Sequence, residues 1–465
     1  MGIDVWGRNQ YGDGGFGTYR ALKQIAPSNL SVALFAPAWT WETTEGTPNW
    51  TWHDWWKYDR KLWFGPEDPT ETVPVPPMSE MSLRKQELDP EVPLPGPFET
   101  IVSFFGNASP PNPLDLPFVT FFSPGIGFLW FVKGKELMDS HKHEWTDVQK
   151  QTSLGNLIWP RPIPLREEGG AYRDQPLGST SLDFTDAWIG GSSAKVTLRF
   201  SGDEEVYFRH FFLPVQSVSV YSGQSYDVSL IHKTDAPGLD LEMAIAVRSL
   251  SEFELTEAAT AELENGWTEL HVQFVLPEDR ETTTQVRSLI GIVLGLATED
   301  PSQPCELSIK IGLLSVYPSP PKLPSKLVHH KPRVLWANYF QNLLTWGIAT
   351  YFDPIPGGTL EPQPPDSTEL KWEISPAIAA YPRFMFFNIY VEAHTVGSYC
   401  GPEYAVFIGT TGWDGREDRF YVEDTMLPEG LKTGSGVDVR LYVQGVTDHG
   451  EVLPWVDGVF VDAKL

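Results

Sequence analysis

Apolar and polar positions follow a helical period in some stretches of the chain and a strand period in others. Residues 2–6 and 30–36 are short apolar runs, and residues 18–25 between them have the spacing of an amphipathic helix. This order predicts a β-loop-α-β unit with parallel strands, a right-handed crossover and Thr18 as the helix cap. Residues 50–63, rich in tryptophan, predict a second amphipathic helix whose rings form a core stripe.

Alternating runs typical of antiparallel strands begin at residue 118. Residues 118–134 predict two strands around a Pro-Gly turn. Further strands are predicted at residues 194–200, 207–213, 225–232, 243–247, 269–276, 290–296 and 307–317. Their number and spacing are typical of a β-sandwich or jelly roll.

A Pro-rich linker at residues 318–324 precedes a second group of alternating runs, which predicts a smaller sandwich. Its strands are predicted at residues 371–374, 385–391, 405–409, 419–422, 439–444 and 458–463. Residues 66–117 are Pro-rich and acidic, and this composition indicates an insertion or linker. The fold class is therefore α/β followed by all-β.

Charge and composition narrow the possible functions. The chain has 465 residues, with 61 acidic and 34 basic side chains, which give a net charge of −27. Such a surface repels phosphate backbones and anionic membranes, so we expect neither nucleic acid nor a membrane as a partner. The 18 tryptophans favour carbohydrate binding, because flat rings pack on pyranose faces, although large β cores also consume aromatic residues.

Two cysteines and an N-terminus without an apolar leader favour a reducing compartment, the cytoplasm. We expect no metal and no cofactor. The histidines at residues 141–143 and 329–330 have no third ligand at metal spacing, and Cys305 and Cys400 have no base partner.

The glycine-rich loop GDGGFG at residues 12–17 fits the G-x-G-x-x-G pattern of dinucleotide sites, after a strand and before a helix. However, residues 7–11 separate the loop from the strand, and no acidic residue ends the next strand. A flexible βα loop is therefore favoured, and a nicotinamide or flavin enzyme is an alternative.

Asp4 interrupts an apolar strand, where a carboxylate is costly unless it is paired or used. In a (β/α)₈ barrel, Asp4 and Trp6 would approach the carboxyl end of the strand, where barrel active sites lie. The alternative is a core aspartate paired with Arg8 or with a neighbouring strand.

Trp39, Trp41 and Glu42 follow the second strand in the same way as Trp6 follows the first. Two tryptophans and a glutamate at a strand end suit a sugar subsite. Ordinary packing at a barrel mouth is the alternative.

Five motifs, in order along the chain, resemble the glycoside hydrolases of family 85. They are GIDVWGR at 2–8, LFAPAWTWE at 34–42, WTDVQKQTSLGN at 145–156, DAWIGGSS at 186–193 and IGLLSVYP at 311–318. VRLYVQGVTD at 439–448 is also similar.

The resemblance implies a mannosyl-glycoprotein endo-β-N-acetylglucosaminidase of the cytosolic type. Such an enzyme cleaves between the two N-acetylglucosamines in the core of an N-linked oligosaccharide or glycoprotein. Its mechanism is substrate-assisted: the 2-acetamido oxygen attacks the anomeric carbon, a Glu is the acid/base, and an Asn two residues earlier orients the acetamide.

The same resemblance places residues 3–8 at about barrel strand seven, whereas the family's Asn-x-Glu pair closes strand four. We therefore expect this chain to carry no catalytic residue and to be inactive alone. The residues that remain as expected sugar contacts are those of the barrel mouth: Asp4, Trp6, Arg8, Trp39, Trp41 and Glu42.

The implied domains are the last βα units of a TIM barrel at 1–65, the insertion at 66–117, a lead-in with a galactose-binding-like jelly roll at 118–320, and a fibronectin-III-like sandwich at 332–465. The alternative function is a non-catalytic carbohydrate-binding protein that uses the loop around Trp188. For the sandwich at about residues 165–318, which carries this loop, we favour a rigid spacer packed against the barrel.

Overall fold

Strands make up most of the regular secondary structure in the computed structural model, and helices are few. The residues that it describes are 1–68, 70–89, 96–105, 116–139, 144–155, 163–164, 177–202, 208–234, 240–248, 253–256, 258–275, 285–297, 300, 302–320, 332–349, 381–394, 399–412 and 418–465. The predicted strand at 371–374 and both histidine groups lie outside these residues. No helix among them has the length and apolar character required to cross a bilayer.

The N-terminal unit, residues 1–105, contains a two-stranded parallel sheet. Strands β1 (Gly2–Asp4) and β2 (Ala33–Phe35) pair in parallel, and helix α1 (Thr18–Ile25) connects them. The predicted β-loop-α-β order is therefore present, with shorter strands. Thr18 is not the cap: Gly17 occupies that position, and the Thr18 hydroxyl donates to the Gly15 carbonyl oxygen at 2.7 Å.

Three more helices follow in this unit: α2 (Trp39–Glu42), α3 (Trp52–Trp63) and α4 (Glu80–Leu88). Helix α3 begins with a capping box in which Thr51 and Asp54 satisfy each other's backbone amides. Its Leu62 is buried in the N-terminal core, whereas Trp52 and Trp56 pack against the core of the strands that follow. The tryptophan stripe is thus a packing surface, as predicted.

The described part of residues 66–117 packs onto the N-terminal core rather than forming a linker. Val73 and Ile101 are buried in that core. Lys23 on α1 forms an ion pair with Glu99 at 2.6 Å. Apolar residues spaced through a Pro-rich stretch cover the small sheet, a role that composition does not reveal.

The central unit, residues 116–320, is built from antiparallel strands. In chain order these are β3 (Phe118–Thr120), β4 (Pro124–Gly127), β5 (Leu129–Val132), β6 (Lys135–Asp139), β7 (Trp145–Gln151), β8 (Ile163–Pro164), β9 (Leu177–Asp183), β10 (Ile189–Gly190), β11 (Ser193–Phe200), β12 (Phe208–Tyr221), β13 (Ser225–Thr234), β14 (Asp240–Arg248), β15 (Phe253–Thr256), β16 (Ala259–Glu262), β17 (Thr268–Val275), β18 (Gln285–Ala297) and β19 (Cys305–Pro318).

Two large sheets of this unit share one hydrophobic core. One sheet has the order β16-β17-β13-β19-β11-β9, with β3 also paired to β19, and the other has the order β15-β14-β18-β12-β8. Leu198 and Leu230 from the first sheet meet Phe211 and Ile292 from the second. All the predicted strands of this region are present. The predicted Pro-Gly turn is wrong, because Pro124 opens β4, which is buried and pairs with β7.

The C-terminal unit, residues 332–465, contains two smaller sheets. Its strands are β20 (Arg333–Phe340), β21 (Leu343–Ala349), β22 (Phe384–Ala393), β23 (Val406–Thr410), β24 (Arg419–Tyr421), β25 (Asp438–Thr447) and β26 (Val459–Lys464). The orders are β20-β21-β24 and β23-β22-β25-β26. Trp346 and Leu344 of the first meet Phe387 and Leu441 of the second in a common core.

The central and C-terminal units meet at an aromatic interface. Trp130, Trp188 and Trp267 from the central unit share a buried cluster with residues of the four-stranded C-terminal sheet, including Phe386 and Phe407. Trp130 stacks on Phe407 with ring centroids 6.0 Å apart. Several of the tryptophans that composition alone associates with sugar binding are therefore buried in this interface.

His232 on β13 gives the fold a predictable acid sensitivity. The side chain is 3% exposed, and burial lowers its pKa from 6.5 to about 4. The unfolded chain therefore binds a proton between these values that the folded chain does not, so stability present above pH 6.5 is lost as pH falls towards 4. This group contributes roughly 3 kcal/mol of that loss.

We expect His232→Leu to flatten the pH dependence of the unfolding free energy between pH 6.5 and 4, measured by urea denaturation at each pH. His394→Gln, at an exposed position, serves as the control and should keep the wild-type slope. An unchanged slope in His232→Leu would contradict the assignment.

Candidate functional site

The candidate site lies where β1 and β2 end. These parallel strands pair Asp4 with Phe35, so the residues that follow each strand emerge at one edge of the sheet. Trp6 and Arg8 follow β1, and Glu42 belongs to α2, which follows β2. We call this edge the mouth; it contains Asp4, Trp6, Arg8, Phe35 and Glu42.

Asp4 and Arg8 form a two-point ion pair at the mouth. The Arg8 guanidinium donates from Nε to Asp4 Oδ2 at 2.6 Å and from Nη2 to Oδ1 at 3.3 Å. The hydrogen bond from Arg8 lowers the pKa of the Asp4 carboxyl, which is therefore ionised at neutral pH. Asp4 Oδ1 also accepts from the Trp6 backbone amide at 3.0 Å. Asp4 is therefore paired with Arg8, one of the partners considered for it.

Trp6 connects this pair to the second strand end. Its indole Nε1 donates to Glu42 Oε2 at 3.1 Å, and 38% of the residue's surface remains exposed. Beside it, the Arg8 guanidinium lies 5.6 Å from the centre of the exposed Phe35 ring. Asp4, Trp6, Arg8 and Glu42 therefore form one connected polar and aromatic group.

Trp39 and Trp41, the other two predicted residues, lie in aromatic packing instead. Trp39 stacks on Tyr58 of α3 at 5.9 Å. Trp41 stacks on Trp52 of α3 at 4.5 Å, with the rings nearly parallel. These contacts hold α2 against α3, so the two tryptophans position Glu42 within the mouth group.

Sequence reasoning did not identify three residues that shape the mouth. The Gln10 side chain bonds both backbone groups of Asp4, accepting from its N–H at 2.8 Å and donating to its carbonyl oxygen at 2.5 Å. The Asp59 carboxylate of α3 accepts a hydrogen bond from the Thr40 hydroxyl at 2.6 Å and so connects α2 to α3. Burial raises the pKa of Asp59. Phe35 had a usable signal: it is a large apolar residue at a strand end directly before Ala-Pro.

The glycine-rich loop does not present a phosphate cradle. The Gly12 amide donates to Ser82 Oγ at 3.2 Å, and the Gly15 amide donates to the Val5 carbonyl oxygen at 2.6 Å. The Gly17 amide is also bonded within the loop, and all four glycines of residues 12–17 are buried. Dinucleotide sites need such amides free to face a pyrophosphate, so the dinucleotide hypothesis is wrong for this loop.

The loop around Trp188 is not a free binding loop either. Trp188 is 6% exposed, and its ring lies 6.2 Å from that of Trp267 inside the aromatic interface. The neighbouring Asp186 carboxylate accepts from Lys233 at 2.9 Å and from Lys310 at 3.3 Å. The Trp188 ring and the Asp186 carboxylate, which the sequence suggested as ligand contacts, are therefore already engaged in packing and ion pairs. Within the described ranges, no three His, Cys, Asp or Glu side chains group as metal ligands.

Comparison with known proteins finds similarity in the segment that contains the mouth. Residues 1–130 match the model of glycosyl hydrolase family 85, and all six predicted site residues lie within this match. Cytosolic endo-beta-N-acetylglucosaminidase 1 of Arabidopsis thaliana is 42% identical over 64 residues, and cytosolic endo-beta-N-acetylglucosaminidase 2 of the same plant is 40% identical over 65 residues.

Each alignment covers 14% of this chain and only 9% of the curated relative. Among solved structures, the glycoside hydrolase domain of Endo-D from Streptococcus pneumoniae R6 is a neighbour with a TM-score of 0.46 and 15% identity. That comparison covers 94% of this chain and 53% of the other.

A substitution at Gly14 tests how much the packing of the glycine-rich loop beside the mouth stabilises the fold. Its φ is +69°, and a Cβ there would overlap the Gly7 amide nitrogen and the Val5 carbonyl oxygen, next to Trp6. We expect Gly14→Ala to lower the unfolding free energy by roughly 3 kcal/mol, because backbone atoms must move.

Gly46→Ala is the matched control for this measurement by urea denaturation. Gly46 also has a positive φ, +83°, but its Cβ would meet no atom within 4 Å. Only the left-handed backbone then contributes, at about 1 kcal/mol. Equal losses in the two variants would show that the close packing of Gly14 has no energetic role.

Proposed function

We propose, from the match of residues 1–130 to the model of glycosyl hydrolase family 85, that the chain is part of an endo-β-N-acetylglucosaminidase. The substrate is then an N-linked oligosaccharide or glycoprotein, cleaved between the two N-acetylglucosamines of its core. The observation that carries the proposal is the family match to the segment that contains the whole mouth. Two curated relatives with this activity in their names support it.

In this proposal the mouth contacts sugar. The Trp6 ring is partly exposed and is fixed at its N–H by Glu42, which suits it to pack against the apolar face of a pyranose. Asp4 and Glu42 supply carboxylate acceptors, and Arg8 supplies guanidinium donors, for sugar hydroxyls. Trp39 and Trp41 do not contact the sugar in this proposal; they hold α2 in the position that places Glu42 in the mouth.

Catalysis in this proposal requires groups other than those of the mouth. The substrate-assisted mechanism needs a general acid/base beside the acetamide of the substrate. Asp4 is unsuited to donate a proton, because its pairing with Arg8 keeps it ionised at neutral pH. None of the matched motifs contains the Asn-x-Glu pair that the family resemblance implies, so we propose that this chain alone does not cleave glycans.

The proposed domain arrangement assigns the N-terminal parallel strands to the end of a (β/α)₈ barrel. The parallel pairing of β1 and β2 and the site at their carboxyl ends support this assignment. We assign the central unit to a galactose-binding-like jelly roll and the C-terminal unit to a fibronectin-III-like sandwich, because each has two antiparallel sheets around one core. We also propose a cytosolic location, which the names of the curated relatives support.

The alternative is a carbohydrate-binding protein without catalysis, with Trp188 in the binding loop. Burial of Trp188 speaks against that loop as the site. A structural role between units suits Trp188 better, because its ring lies in the interface that joins them.

The first test is hydrolysis. We expect no release of glycan from a high-mannose glycopeptide by the 465-residue chain, measured by mass spectrometry. In parallel, the protein read in frame from the full transcript should release the glycan with one N-acetylglucosamine left on the peptide. Cleavage by the 465-residue chain would contradict the inactivity proposal, and inactivity of the full product would contradict the enzyme proposal.

The second test concerns the mouth. We expect Trp6→Ala to weaken binding of the disaccharide GlcNAc-β-1,4-GlcNAc to the chain by roughly fivefold, measured by isothermal titration calorimetry, because one ring–sugar contact is lost. Trp336→Ala is the control, since Trp336 is a tryptophan of the C-terminal unit with 52% of its surface exposed. Equal affinities in wild type and Trp6→Ala would remove Trp6 from the sugar site.

A further inference from the structure

A groove lies at the junction of the central and C-terminal units, away from the segment matched to the family. The β5–β6 hairpin and the turn before β17 form one side, and β22, β25 and the turn before β26 form the other. Its volume is about 230 Å³, which leaves room for a small ligand. Ligand sites occur preferentially at such boundaries between units. We call it the junction groove.

The floor of the junction groove is polar and rigid. Tyr390 and Gln444 are 4% and 5% exposed. The Tyr390 hydroxyl donates to Gln444 Oε1 at 3.0 Å, and Gln444 Nε2 donates to the Leu453 carbonyl oxygen at 2.9 Å. The phenol oxygen can accept one more hydrogen bond, and the amide can accept one more at Oε1 and donate one more from Nε2. Buried groups with spare capacity at a groove floor match a ligand that both donates and accepts.

Trp455 forms an aromatic wall above this floor. Its ring is held edge to face by Tyr390 at 5.0 Å and by Tyr442 at 6.0 Å. The side chain is only partly buried and lines the groove. A fixed, partly exposed indole offers a flat apolar surface next to hydrogen-bonding groups.

The rim carries charges that cancel. Lys133 and Lys135 lie on one side, and Glu264 and Glu403 complete the rim. In the part of the chain that the structure describes, none of these four side chains is paired with another charge. A neutral rim does not select a strongly charged ligand, whereas ammonium donors and carboxylate acceptors suit hydroxyl groups.

We propose that the junction groove binds a neutral saccharide, with Trp455 against a pyranose face and Tyr390 and Gln444 bonded to hydroxyls. Hydroxyl-rich rings are the ligand class that combines an apolar face with donors and acceptors around its edge. This site does not rest on the proposed enzyme function, because all of its lining residues lie beyond residues 1–130.

The test is titration of the 465-residue chain with two probes, mannotriose and GlcNAc-β-1,4-GlcNAc, by calorimetry and saturation-transfer NMR. We expect saturable binding of at least one probe, and a loss of affinity of roughly tenfold in Trp455→Ala. Because Trp455 also packs on Tyr390, a second variant combines Lys135→Ala with Glu403→Ala at exposed positions and should weaken binding without changing the melting temperature.

Trp6→Ala separates this site from the mouth. Binding that persists in Trp6→Ala and weakens in both groove variants supports the proposal. The proposal is overturned if neither probe binds at millimolar concentration, if both groove variants bind like wild type, or if Trp6→Ala alone abolishes binding. The hydrolysis test is independent, so failure of one proposal does not decide the other.

Discussion

Helix α3 is the element on which the N-terminal unit depends, because a two-stranded sheet buries too little apolar surface to be stable alone. Leu62 of α3 enters the core of the small sheet, while Trp52 and Trp56 pack on the core of the large sheets. Between them the buried Arg60 guanidinium donates to the Gly65 carbonyl oxygen at 2.5 Å and also to that of Thr180 on β9. The helix therefore joins two cores that the chain order separates.

The geometry of the mouth follows from this helix. Trp39 and Trp41 of α2 stack on rings of α3, and Thr40 bonds Asp59 of the same helix. Glu42 thus reaches the Trp6 indole from a position that α3 sets. A displacement of α3 relative to β1 would separate the two halves of the mouth group.

The strands of the central and C-terminal units follow the period-two pattern, so their approximate positions could be read from the sequence. The β20–β21 hairpin was missed because its turn, Gln341 and Asn342, lacks glycine, although both residues adopt a positive φ. Pro124 was misassigned because Pro-Gly is typical of turns, whereas the buried strand β4 begins there.

Candidate sites were predictable only as residues at strand ends. The order of strand, loop, helix and strand locates Asp4, Trp6 and Glu42 at one sheet edge, and the motifs in that region resemble those of glycosyl hydrolase family 85. The Trp188 loop and the glycine-rich loop have equally suggestive sequences. In both loops the candidate groups are buried or hydrogen-bonded by residues that are distant in sequence.

The sequence by itself therefore determined the strand and helix periods, the change from α/β to β structure, and the family resemblance of the N-terminal segment. Only the tertiary structure decided which aromatic side chains remain exposed. Trp6 stays at the surface, while Trp188 lies in the interface between two units. The physical reason is that local periodicity specifies which face of an element is apolar, whereas contacts between distant elements decide what covers it.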